Sequence, residues 1–155
     1  MSVKSEMPQR LLNAAVAFYQ AASRCEFTIC VTPLQRHAVG APTVVNYALS
    51  IELYLKLLNL LQTGTPPRGH HLLALFDSLV PETRAIIVEK TRCAYGSEED
   101  LRERIEGISK AFVDWRYAHE HEFLFVSNDH LTDLAYGLHV TLRRLYPDLV
   151  SCYGE

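Results

Sequence analysis

Residues 43–62 read TVVNYALSIELYLKLLNLLQ, and the fold turns on them. Apolar side chains recur around almost the whole circumference of a helix built from this stretch, and the breaker cluster TGTPPRG at 63–69 ends it. A helix apolar nearly all round belongs either in a membrane or in the middle of a bundle. Asn46, Ser50, Glu52, Lys56 and Asn59 interrupt the run, so a membrane span would carry two opposite charges and several polar groups into hydrocarbon. The reading is a buried helix at the centre of a bundle, with no membrane association.

Working outward, PQRLLNAAVAFYQAASR at 8–24 places Leu11, Ala15, Phe18 and Ala22 at three- and four-residue steps and predicts a first helix opening at Pro8. The stretch 25–42 mixes β-branched residues with two prolines and a glycine, and no period persists; it reads as a loop with a short extended piece. After the breaker cluster, 70–79 forms a short helix with Leu72, Leu75, Phe76 and Leu79 on one face. Pro81 opens another helix running to about residue 92, and both are expected at the periphery. Ser97 followed by Asp100 is a variant capping box, and Leu101, Ile105, Ile108, Phe112 and Trp115 mark a helix to about residue 119. The last helix begins after Ser127-Asn128-Asp129 and turns Leu131, Leu134, Leu138, Leu142 and Leu145 inward until Pro147. The predicted class is all-α: one domain over 1–155, an antiparallel bundle with two long central helices, 43–62 and 97–119, and short peripheral ones.

Composition agrees with that. The chain has 155 residues, 48% apolar and 21% charged, which suits one globular domain with a real core. Fifteen Lys and Arg against eighteen Asp and Glu leave a formal charge of −3, which excludes nucleic-acid binding through overall charge and leaves only a local basic cleft. Cysteines at 25, 30, 93 and 152 form no disulfide framework, and a reducing cytoplasm is the expected compartment.

Chemistry concentrates in AFVDWRYAHEHE, residues 111–122. At about 100° per residue, His119 falls within about 20° of Ile108, and Arg116 lies about 40° past Phe112, so both sit toward the core side. A cation at the edge of an apolar face needs a partner. The structural reading pairs Arg116 with Glu120 four residues on and leaves His119 as a satisfied core histidine. On the helix of 43–62, Asn46 and Ser50 form one polar stripe and Glu52, Lys56 and Asn59 a second on roughly the opposite side, one of which must be covered. The structural reading makes Glu52 and Lys56 an exposed pair and bonds Asn46 and Ser50 to backbone; the functional reading turns one stripe toward Arg116.

The order YALSIELYLKLLNLL, breaker loop, GHHLLALF and then AFVDWRYAHEH resembles the HEPN superfamily of small helical-bundle domains, marked by an Arg followed after four to six residues by His. Arg116 and His121 meet that spacing at its lower limit, and the likeness covers most of the chain. The resemblance implies a metal-independent ribonuclease working as a homodimer, with the two Arg-His motifs facing each other across a cleft. Arg116 would then hold the scissile phosphate and His121 act as general acid or base. Two departures keep other assignments open. Tyr117 follows the Arg where active members often carry a polar residue, and in a subgroup with Trp-Arg-Tyr and a later carboxylate the histidine is often missing, which makes Glu120 the matching residue. His119 is a further alternative at too short a spacing. At 69–72 the chain reads Gly-His-His-Leu where the family usually has Gly-His-Asp-Leu, which leaves the capping role of His71 open.

The partners so implied are a second copy of the chain, RNA or a nucleotide, and an antitoxin or nucleotidyltransferase. The alternative to a toxin or phage-defence nuclease is a catalytically inactive module that binds a nucleotide or a protein. No cofactor is expected and no metal: His119 and His121 do not share a helix face, and Cys25, Cys30 and His37 lack zinc spacing. Arg102, Arg104, Arg143 and Arg144 read as solvated faces, and most of the eight tyrosines as core.

Overall fold

Helices this apolar are stable only when their faces are covered, and the chain itself supplies the cover. A computed structural model describes the chain at residues 3–26, 29–32, 35–37, 40–116 and 128–151, with side chains at 6–26, 42–91, 96–110 and 129–151. Among the described residues run α1 (Val3–Cys25), β1 (Ile29–Thr32), β2 (Gln35–His37), α2 (Gly40–Thr63), α3 (Leu72–Asp77), α4 (Pro81–Tyr95), α5 (Glu98–Arg116), α6 (Asn128–Leu145) and α7 (Pro147–Val150). The class is all-α, with one small hairpin. In it β1 and β2 pair antiparallel, Ile29 opposite His37 and Cys30 opposite Arg36, with an irregularity between Cys30 and Thr32.

The central position of α2 follows from its composition. It packs against α1, α3, α5 and α6, and its Tyr47, Ala48, Ile51, Leu55, Leu57 and Leu58 are fully buried. Among the described residues α1 and α6 cover more of it than α5 does, so α5 is not its principal neighbour as the sequence suggested. By length and apolarity Pro42–Thr63 could cross a membrane, but two-thirds of its most apolar window is buried inside the bundle. Gly64 stops it: a φ of +76° turns the Gly64 N–H back onto the Leu60 carbonyl at 2.8 Å, a conformation that favours glycine.

Several boundaries match their local causes. Ser97 and Asp100 cap α5 reciprocally: the Ser97 hydroxyl oxygen accepts the Asp100 N–H at 3.1 Å, and the Asp100 carboxylate accepts the Ser97 N–H at 3.2 Å. Pro81 opens α4, and α6 ends just before Pro147, which opens α7. Helix α1 differs from expectation. It begins at Val3, with Pro8 inside it, because a proline near a helix start forfeits only the bond to the carbonyl four residues back, and an Arg10–Glu6 pair at 2.9 Å flanks the site.

Helix α4 is also less peripheral than its sequence suggested. It packs against α6 and buries Thr83, Ile87 and Thr91, while Leu72, Leu75 and Phe76 of α3 join the same core. The close approach has a specific cause at Gly137, where a Cβ would lie 2.4 Å from Thr91 Cγ2. Thr91 cannot easily rotate aside, because its hydroxyl donates to the Ile87 carbonyl at 2.8 Å.

Among the described residues the large apolar side chains of α2 are buried or partly buried, and Val80 and Tyr136 are the exposed large hydrophobics.

The α4–α6 crossing yields a prediction. Gly137→Ala should lose about 2 kcal/mol in urea unfolding, the overpacking outweighing a gain of about 1 kcal/mol in helix propensity. Thr91→Ser in the same chain removes the obstructing methyl, keeps the hydroxyl and should restore most of the loss. No loss in the single variant would show that the crossing has room.

Candidate functional site

A carboxylate in the middle of an apolar helix must find a charged or hydrogen-bonding partner when that helix is covered on every side. Glu52 is 4% exposed. Its Oε1 accepts from Lys56 Nζ at 2.7 Å, one turn on along α2, and lies 2.9 Å from His70 Nδ1. The Lys56 side chain is 16% exposed and that of His70 73%, so the cluster runs from the bundle interior to its surface. Glu52 Oε2 is buried and has no hydrogen-bond partner among the described residues. The exposed Glu52–Lys56 pair of the sequence reading is thus corrected to a largely buried one, because Glu52 lies on a covered face of α2.

Both polar stripes of α2 are at least partly covered. Ser50 is fully buried and donates to the Ala15 carbonyl at 2.8 Å, the backbone bond expected of it. Asn46 is partly buried and makes no side-chain hydrogen bond among the described residues, contrary to its expected bond to backbone. Asn59 donates to the Leu55 and Leu75 carbonyls, each at 2.9 Å, and accepts from Ser78 Oγ at 2.8 Å, which fastens α3 onto α2.

The segment Gly69-His70-His71-Leu72 lies between α2 and α5. His71 is the N-cap of α3: its Nδ1 accepts from the Ala74 N–H at 3.4 Å, so the ring fills the capping role left open by the missing Asp. Its Nε2 lies 3.3 Å from Glu106 on α5. That tautomer, an acceptor at Nδ1 and a donor at Nε2, serves both contacts. One residue on, the buried Leu72 N–H donates to Ser109 Oγ at 3.0 Å. Glu106 also meets Lys110 at 3.5 Å.

An exposed imidazole whose Nδ1 is tied to a buried carboxylate is oriented, with Nε2 left to exchange protons. Glu52, His70 and Lys56 therefore form one hydrogen-bonded cluster centred on Glu52 Oε1. Sequence reasoning missed His70, which it treated as part of a helix start. The usable signal was Glu52 itself, whose burial demands partners beyond its own helix.

Other predicted site residues are placed differently. Arg116 is the last described residue of α5; its side chain, and His119, Glu120 and His121, lie outside the described residues. Ser50 faces α1 through its bond to Ala15, away from the Glu52 cluster. Arg102 pairs with Asp77 and Arg144 with Glu89, as befits solvated faces. Among the described residues no three His, Cys, Asp or Glu side chains gather as a metal site.

Comparisons of the chain with protein-family models, with curated proteins and with solved structures give no match.

The attachment of 69–72 to α5 can be tested. Ser109→Ala leaves the buried Leu72 N–H without its acceptor and should cost about 1–2 kcal/mol in chemical denaturation, whereas His70→Ala, at a mostly exposed ring, should cost less than about 1 kcal/mol. The reverse order would mean that α5 is not what holds this segment.

Proposed function

We propose that the chain is an HEPN-like antiparallel helical bundle acting in the cytoplasm as a homodimeric, metal-independent endoribonuclease of a toxin–antitoxin or phage-defence system. One observation carries the reading. The segments that support the resemblance are distant in sequence, yet Gly69-His70-His71-Leu72 bonds to α2 through Glu52 and to α5 through Ser109 and Glu106, and α5 then runs to Arg116.

In the proposed chemistry Arg116 holds the scissile phosphate and neutralises charge that develops on its oxygens. The His121 imidazole exchanges a proton with the 2′-hydroxyl or the leaving oxygen. The 2′-oxygen attacks phosphorus, the bond from phosphorus to the 5′-oxygen breaks, and that oxygen leaves protonated, so one product ends in a cyclic phosphate. The homodimer, and an antitoxin or nucleotidyltransferase partner, rest on the resemblance.

A second reading, a catalytically inactive module that binds a nucleotide or a protein, is favoured by charge. The formal charge is −3, and Lys56, Arg102 and Arg144 are each committed to a carboxylate, leaving them little field for RNA.

The nuclease reading predicts cleavage of single-stranded RNA in EDTA, cyclic-phosphate ends, and loss of cleavage in a folded His121→Ala variant. No cleavage by the purified dimer, or cleavage unchanged in that variant, selects the binding module.

A further inference from the structure

On another side of α2, against α1 and α6, lies a cavity of about 290 Å³ lined by Val16, Tyr19, Gln20, Tyr54, Tyr136 and His139. Its size suits a small ligand or a single chemical group rather than a drug-sized molecule. Three phenol rings and an imidazole form most of the wall, and among the described residues no Lys or Arg lines it. Tyr54 and His139 meet edge to face, with centroids 5.8 Å apart and the phenol oxygen 3.0 Å from Nδ1. Tyr19 stands edge-on to Tyr47 at 5.6 Å, and Tyr136 is 58% exposed at the mouth.

The electrostatics of this wall select the sign of a ligand. Burial, followed by the nearby Arg143, pushes the His139 pKa below its usual value, so the imidazole is neutral at pH 7 and adds no positive charge. Burial raises the Tyr19 pKa, and the nearby negative charge of Glu26, then Tyr136 and Asp133, add to that, although neither carboxylate lines the cavity. Glu26 is itself held in place, accepting from the Tyr47 hydroxyl at 2.7 Å and the Thr132 hydroxyl at 3.2 Å. Arg143 is the opposing charge on α6, one turn beyond His139.

An anionic ligand beside Tyr19 would be repelled by the nearby Glu26 and Asp133 charges, and a nucleobase would need several edge partners where, among the described residues, Gln20 is the non-aromatic polar side chain of the wall. A fully alkylated ammonium has no N–H to satisfy, is attracted to aromatic rings by their quadrupole, and is favoured by the carboxylates near Tyr19. We infer that the tyrosine-lined cavity between α1, α2 and α6 is an aromatic cage for an alkylated ammonium group on a small organic cation. This site is separate from the Glu52 cluster and from Arg116, and it stands whether or not the chain cleaves RNA.

Tetramethylammonium is the direct probe, with tert-butanol as its neutral counterpart of similar shape. In NMR titrations of the full chain, tetramethylammonium should shift the ring resonances of Tyr19, Tyr136 and His139 saturably, and bind about three- to tenfold tighter than tert-butanol. Tyr136→Ala, a truncation at an exposed ring that leaves the core intact, should abolish the preference, and Tyr136→Phe should keep it. Equal affinity for the two probes would reduce the site to an apolar hollow and overturn the inference, as would a preference unchanged in Tyr136→Ala or no ring shift with tetramethylammonium.

Discussion

The arrangement described above depends on Glu52, a carboxylate buried in the one helix that every larger part of the bundle needs. An apolar cylinder such as α2 can be covered by many packings, since hydrophobic contact carries little direction. A charge within it is different. It must meet its countercharge at a particular distance and angle, and burying it unpaired costs several kcal/mol. Lys56 answers from the same helix and His70 from the segment that follows the breaker loop, so the carboxylate joins α2 to the returning chain while Ser109 of α5 holds the next turn. Asn59 repeats the device one layer on, holding α3 by bonds to backbone.

From that return the rest of the α3–α5 side follows. His71 caps α3 with one ring nitrogen and reaches Glu106 with the other, and Ser109 receives the first N–H of the helix. The opposite side of α2 has a different character. There tyrosines from α1, α2 and α6 leave a cavity where aliphatic side chains would have filled the space. Rings pack with gaps because they are flat and keep their hydroxyls near a partner or solvent, as Tyr47 does with Glu26 and Tyr54 with His139.

Much of this was legible in the sequence where local causes dominate. The centrality of 43–62, the capping box at Ser97, the helix start at Pro81, the stop before Pro147 and the inward faces of α3 and α6 need only helical period and cap chemistry. What escaped depends on tertiary contact. The glycine at 137 carries no local signal, because its reason is Thr91 on another helix. Strands of four and three residues are too short to display a period, so the hairpin at 29–37 had no pattern to read. Glu52 was recognised as needing an account, but its burial could not be told from exposure without knowing which faces of α2 its neighbours cover. The Arg116–His121 pair came from resemblance and spacing, and among the described residues Glu52 is the predicted supporting residue found in a charged cluster.

The most direct measurement of this account is a double-mutant cycle on Glu52 and Lys56, read by equilibrium denaturation. Lys56→Met should destabilise the chain by about 3 kcal/mol, because the buried carboxylate then keeps only an exposed imidazole, and adding Glu52→Leu should recover most of that loss by removing the stranded charge. A Lys56→Met variant as stable as the parent, or a double variant worse by the sum of its parts, would contradict the claim that the buried carboxylate of α2 depends on its countercharge.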